Sequence, residues 1–169
     1  MTEKLFYQDS FMQQFNAKVV SCTEDKKGWA VVLDRTAFYP EGGGQPRDHG
    51  IITWGESSVN VTDVREKGEV IIHYTDGEIP ADTNISGTID WDRRFDFMQQ
   101  HTGEHMFSGV VMSLFGYSNV GFHLSERENV VDFDGPLTKE EIKMIMDRCN
   151  EFVWANQPVY TGFPENVKE

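Results

Sequence analysis

Residues 85–116 read ISGTIDWDRRFDFMQQHTGEHMFSGVVMSLFG, and a change of pattern inside them divides the fold. Residues 85–89 form the last of a series of strand candidates. From Arg93 to Phe115 there is no proline, and Phe97, Met98, Met106, Phe107, Val110, Val111 and Leu114 include several positions at helical spacing. The pattern predicts a helix over 93–115 with Gly116 as its stop.

Before this junction the chain reads as short strands between turns. Runs 17–23 and 29–33 are rich in β-branched residues, and the polar turn 24–28 joins them as a hairpin. Further strand candidates are 50–54, 59–65 and 70–74, punctuated by Gly and Asp. Many short strands at this spacing suggest a small β-barrel over residues 1–90. Beyond the helix, a strand pair is expected at 120–125 and 129–134. A second helix is expected over 139–156, opened by the Thr138/Glu141 capping box and closed by Pro158, with a new strand starting at 159–163. The fold class is therefore α+β, with a barrel over 1–90 and an α+β domain over 91–169.

Composition narrows the class. Twelve Phe, four Trp and five Tyr are too many for a disordered chain. No apolar run reaches the ~18 residues of a membrane span, and the first residues lead into no signal-peptide core, so a cytoplasmic location is expected. Cys22 and Cys149 are far apart and suggest neither a disulfide framework nor a cysteine zinc site. The charge of −13, from 28 acidic against 15 basic residues, argues against non-specific nucleic-acid binding. It leaves room for one local basic patch.

Two motifs carry chemistry. His101-Thr102-Gly103-Glu104-His105 places two imidazoles at i and i+4, on one helix face, where both can meet one metal ion. Two histidines satisfied by local hydrogen bonds in a packed helix are the plain alternative. The same residues also match H-x-x-E-H, in which a zinc peptidase uses the Glu as general base. The second motif, Phe38-Tyr39-Pro40-Glu41-Gly42-Gly43-Gly44-Gln45-Pro46, lacks the Lys-Ser/Thr ending of a P-loop and is no GxGxxG fingerprint. Its glycines permit positive φ and close backbone approach, and Gln45 adds a neutral donor and acceptor. A flexible surface turn is the alternative reading.

Residues 35–46 resemble the glycine-rich motif of alanyl-tRNA synthetases and of their free-standing editing relatives, the AlaX proteins. Residues 98–105 are similar to the first zinc half-site of that family. The stretches Gly121-Phe122-His123-Leu124 and Val130-Val131-Asp132-Phe133 resemble the strand pair that follows it. All lie in family order, so the resemblance spans nearly the whole chain. It implies a translation-factor-like barrel followed by an α+β editing domain with a long metal-site helix. It further implies a zinc-dependent hydrolase that deacylates mischarged Ser-tRNA or Gly-tRNA specific for alanine. On that reading His101 and His105 hold Zn2+, while Glu104 and Gln45 are the catalytic candidates. Gly42, Gly43, Gly44, Gln45, Thr102 and His123 are the candidates for contacting tRNA. Nucleotide and ATP binding follow only as properties of the wider family.

One departure stands out. The family pattern completes the zinc site with a Cys-x-x-x-His pair after the second long helix, and here no His follows His123. The expectation is a C-terminal truncation, favoured over proteolytic clipping or a degenerate member of the family, with little activity from these 169 residues alone. A non-catalytic tRNA-binding fragment is the rival from another class, and the H-x-x-E-H peptidase is the third reading. Oligomeric state is left open by the sequence.

Overall fold

The computed structural model describes residues 1–160 and Gly162. The chain forms two compact units: Met1–Thr102 with Phe122–Val130, and Gly103–Gly121 with the described residues from Val131 on.

In the first unit, strands β1 (Glu3–Lys4), β2 (Gln14–Asp25), β3 (Gly28–Leu33), β4 (Arg35–Thr36), β5 (Gly50–Trp54), β6 (Ser57–Lys67), β7 (Val70–Thr75) and β8 (Asn84–Ile89) precede helix α1 (Trp91–Phe115). Six of them close into a barrel in the order β2-β3-β7-β6-β5-β8, every neighbouring pair antiparallel. Closure leaves no sheet edge among these six, which removes the usual template for edge-to-edge association. The expected barrel is therefore present. Alternation drives it: in β2, Phe15, Ala17 and Val19 point inward between exposed neighbours. Val31, Leu33, Ile52, Val64 and Ile71 are wholly buried, each worth roughly 1.5–3 kcal/mol relative to an exposed side chain. Register shifts in β2 between Val19 and Ser21, and in β6 between Val61 and Asp63, bend these long strands.

β1 and β4 pair in parallel as a two-residue clip outside the barrel. Neither was expected, since two residues carry no readable period. At the start of α1, the Arg93 backbone N–H donates to Asp90 Oδ1 at 3.3 Å, a cap on the first turn.

The second unit contains the C-terminal part of α1, most of the pair β9 (Asn119–His123) and β10 (Val130–Phe133), and helix α2 (Lys139–Trp154). Val110, Val111 and Ile145 form its buried centre, with Phe107, Phe115, Tyr117, Phe133, Leu137 and Cys149 around them. Gly116 ends α1 at φ 73°, as expected of a helix stop. The Thr138/Glu141 capping box is formed. The second helix stops at Trp154, two residues short of the expected end. Asn156 takes φ 48°, a left-handed conformation that Asn adopts more readily than most residues and that breaks the helix before Pro158 acts. The strand expected over 159–163 is corrected in part. Val159 and Tyr160 are in no strand, because no described strand pairs with them, while Thr161 and Phe163 lie outside the described residues.

Candidate functional site

The glycine-rich segment is a shaped loop whose geometry follows from its residues. Gly42 N–H donates to Gln45 C=O at 3.2 Å, and Gln45 N–H donates to Gly42 C=O at 3.0 Å. The two central residues, Gly43 and Gly44, have φ of 59° and 82°. Positive φ at both central positions is the signature of a type I′ turn, which L side chains rarely adopt. Gly44 has a second constraint, because a Cβ there would lie 2.9 Å from Phe122 Cδ1. Tyr39 Oη donates to Gly42 C=O at 3.2 Å and steadies the turn from below.

The loop is tied to α1 by a buried ion pair. Arg94 and Asp48 are 3% and 2% exposed. Arg94 Nε donates to Asp48 Oδ1 at 2.7 Å, and Nη2 donates to both Asp48 Oδ2 and Ala37 C=O. Nη1 reaches Ser10 C=O at 3.2 Å. Asp48 Oδ2 also accepts the Tyr39 backbone N–H at 2.7 Å. A fork of donors meets a carboxylate and two carbonyls, so the buried charges are matched by hydrogen bonds.

About two turns further along α1 lies His101. Its Nδ1 sits 3.1 Å from Gln45 Oε1, and its ring centroid lies 5.6 Å from that of Phe122. Gln45 is itself 8% exposed. The loop therefore delivers a neutral amide to the first histidine of the helix motif, across 56 positions of sequence.

Within the second unit, the Glu104 side chain is 7% exposed. Its Oε1 accepts from Ser108 Oγ and from Asn119 Nδ2, the latter at 2.6 Å, and Oε2 lies 3.4 Å from His105 Nδ1. His105 is 73% exposed at its side chain. Among the described residues no cluster of three or more His, Cys, Asp or Glu is arranged to hold a metal. The donor set on α1 is thus two imidazoles at i and i+4. An oxygen faces Nδ1 of each imidazole, Gln45 Oε1 for His101 and Glu104 Oε2 for His105.

A cavity of about 740 Å3 opens in the first unit beside the loop, lined among others by Gly44, Gln45, Arg47, Arg93, Phe122 and His123. Gly42 also lines it, but Gly43, Thr102 and His101 do not. Thr102 instead turns its hydroxyl back to Met98 C=O at 2.8 Å. The lining carries three arginines, Arg47, Arg93 and Arg127, against two glutamates, Glu41 and Glu126. Arg93 Nε reaches Glu126 at 3.2 Å. The Arg47 hydrogen bond, with help from Arg65, holds the Glu41 carboxyl below its ordinary range, so that glutamate is charged at neutral pH. Arg47 is shared further with Asp63, at 3.1 Å from its Nε, so among the described residues Arg127 is the lining arginine without a carboxylate partner.

The model of the class II (A) tRNA synthetases matches residues 2–93, more than half of the sequence. The chain belongs to that family. Along nearly its whole length it is similar to alanine–tRNA ligases and to an alanyl-tRNA editing protein. The alanine–tRNA ligase of Pyrobaculum aerophilum is 40% identical over 175 residues, covering 99% of this chain and 19% of the ligase. The ligase of Pyrococcus furiosus is 40% identical over 165 residues, 94% of this chain and 18% of its own length. The alanyl-tRNA editing protein AlaX-L of Pyrococcus horikoshii is 33% identical over 174 residues, 99% of this chain and 43% of AlaX-L. This synthetase-family chain thus spans less than half the length of each relative. The resemblance read from the two motifs holds.

Sequence reading missed the Asp48–Arg94 pair, the Ser108 and Asn119 partners of Glu104, and the aromatic wall at Phe122.

Proposed function

We propose that this chain supplies the barrel and the histidine half of a zinc site for editing alanine-specific tRNA, by hydrolysis of a mischarged seryl or glycyl ester. The observation that supports it most directly is the Gln45–His101 contact, which joins the two family motifs in one place. A pocket sized for alanine cannot strongly exclude glycine or serine, so discrimination by a second, hydrolytic site has a physical reason. His101 and His105 are the residues that would hold zinc, and zinc when bound supplies a Lewis acid for the ester carbonyl or for water.

The chain's own residues have separable parts in this reading. Gly42, Gly44, Phe122 and His123 wall the cavity that receives the acceptor end, and Arg93 and Arg127 give it the charge that phosphates require. Gln45 and Glu104 orient the histidines. Two imidazoles bind zinc far more weakly than a four-ligand site, so these 169 residues alone should retain substoichiometric metal after dialysis and be nearly inactive.

A peptidase is disfavoured by Glu104. Its two carboxylate oxygens face Ser108, Asn119 and His105, whereas a general base needs an oxygen on the attacking water. The test is release of labelled serine or glycine from mischarged alanine tRNA by the protein at its natural length. His101→Ala should lower the rate at least ~100-fold, given that placement and metal are lost together. Absence of deacylation, or a rate untouched by His101→Ala, removes the reading.

A further inference from the structure

Gln45 is uncharged and no candidate metal ligand, yet it is among the buried polar side chains of the first unit. Its backbone N–H and C=O are both used within the Gly42–Gln45 turn. The turn is thus held by the backbone, and the side chain is left for another task. Its Oε1 faces His101 Nδ1 at 3.1 Å.

We propose that Gln45 is a positioning residue that fixes His101 as the Nδ1–H tautomer and so makes Nε2 its metal-donor atom. An amide oxygen only accepts, so the nitrogen facing it must carry the proton. In a neutral imidazole the lone pair is then on Nε2. The loop around Gln45 is held by two further contacts, Tyr39 Oη on Gly42 and Asp48 on Arg94, which place the amide oxygen independently of His101. Phe122 lies beside both the imidazole and the Gly44 backbone, and restricts the ring from the other side. The glycine-rich motif acts here as the outer shell of the histidine motif. The inference rests on the editing reading only for the metal's identity and role; the tautomer itself is a property of the metal-free chain.

The test uses the 169-residue chain without metal, with 15N-labelled histidine and long-range proton–nitrogen correlation at neutral pH. The His101 signals are assigned by their loss in His101→Ala. Wild type should show the proton on Nδ1. Gln45→Leu should move it wholly or partly to Nε2 and weaken zinc binding at least ~10-fold in competition with a chelating dye. Gln45→Glu, which restores an acceptor oxygen, should return both values to those of wild type. His73, buried in the barrel, reports on folding in the same spectra. If the leucine variant loses that signal, Gln45→Asn takes its place, since it withdraws the oxygen by one methylene and should have the same effect. A proton on Nε2 in wild type overturns the proposal, as does a Leu or Asn variant with unchanged tautomer and zinc affinity. The Nδ1–H tautomer in a protein that deacylates no tRNA would sink the editing reading and leave this one standing.

Discussion

Arg94 on α1 and Asp48 at the end of the glycine-rich loop form a buried ion pair, and it fixes where the loop stands against the helix. Breaking a buried pair from one side leaves the other charge uncompensated, at a cost of about 3–5 kcal/mol. Asp48→Ala should therefore lower the unfolding free energy by that order in a urea titration. Zinc affinity should fall with it, because the loop that carries Gln45 loses its anchor. A loss under ~1 kcal/mol would show that the loop is held by other means.

This anchor also marks the limit of what the sequence made legible. The barrel strands were readable because β2, β6 and β8 alternate buried and exposed residues, a local signal. The helix and its Gly116 stop were readable for the same reason. Asp48–Arg94 and Gln45–His101 join residues 46 and 56 positions apart, and no local period encodes such a meeting. The two motifs were visible singly, but their contact was not. The hydrogen bond that Thr102 makes was equally hidden: its hydroxyl donates to Met98 C=O on the preceding turn.

His73 should make stability depend on acid. It is wholly buried in the barrel, where Nδ1–H donates to Val31 C=O at 3.1 Å and Nε2 accepts from Thr36 Oγ at 2.8 Å. Burial pulls its pKa down from 6.5 to about 4. The unfolded chain binds the proton more readily, so the contribution is complete above pH 6.5 and is lost as pH falls towards 4. By linkage the loss is roughly 3 kcal/mol at full protonation. Unfolding midpoints measured from pH 7 to 4 should fall more steeply in wild type than in His73→Gln. Parallel curves would contradict it.

Gly43 and Gly44 should respond differently to substitution. Both need positive φ, which costs a non-glycine residue about 1–2 kcal/mol. Gly43 faces open space apart from Tyr39 Oη at 3.8 Å, and Asn should be accepted there with a Tm close to wild type. Gly44→Ala adds a contact of 2.9 Å with Phe122, so it should cost more than Gly43→Ala and weaken zinc binding through His101. Equal effects of the two alanines, by thermal unfolding, would count against Phe122 as the wall.

Glu104→Gln separates the tRNA and peptidase readings. Glutamine keeps an acceptor for Ser108 and Asn119 and removes only the charge near His105. Deacylation by the protein at natural length should fall no more than about tenfold if, as the editing reading has it, no proton transfer passes through that carboxylate. A zinc peptidase would lose orders of magnitude with the same change, because its glutamate takes the proton from water. Glu104→Ala should instead destabilise the second unit by about 1–3 kcal/mol, since Ser108 and Asn119 lose their partner.

If the acceptor end of tRNA enters the cavity beside the loop, its arginines should set the salt dependence of binding. A chain of charge −13 can hold tRNA only where the local balance is reversed, and the cavity has three arginines against two glutamates. Arg93 faces Glu126 and Arg47 faces Glu41, so each already shares its charge with a carboxylate. Arg127 is exposed, and its backbone N–H, not its side chain, donates to Ser125 Oγ at 3.3 Å. Arg127→Gln should therefore leave the turn intact while removing one positive charge from the cavity wall. Binding of alanine tRNA should weaken similarly for charged and uncharged tRNA, and the slope of log affinity against log salt should shrink by about one. The same change at Arg35, outside the cavity, should leave the slope alone. An Arg127→Gln variant with the wild-type slope and affinity would place the tRNA elsewhere on the surface.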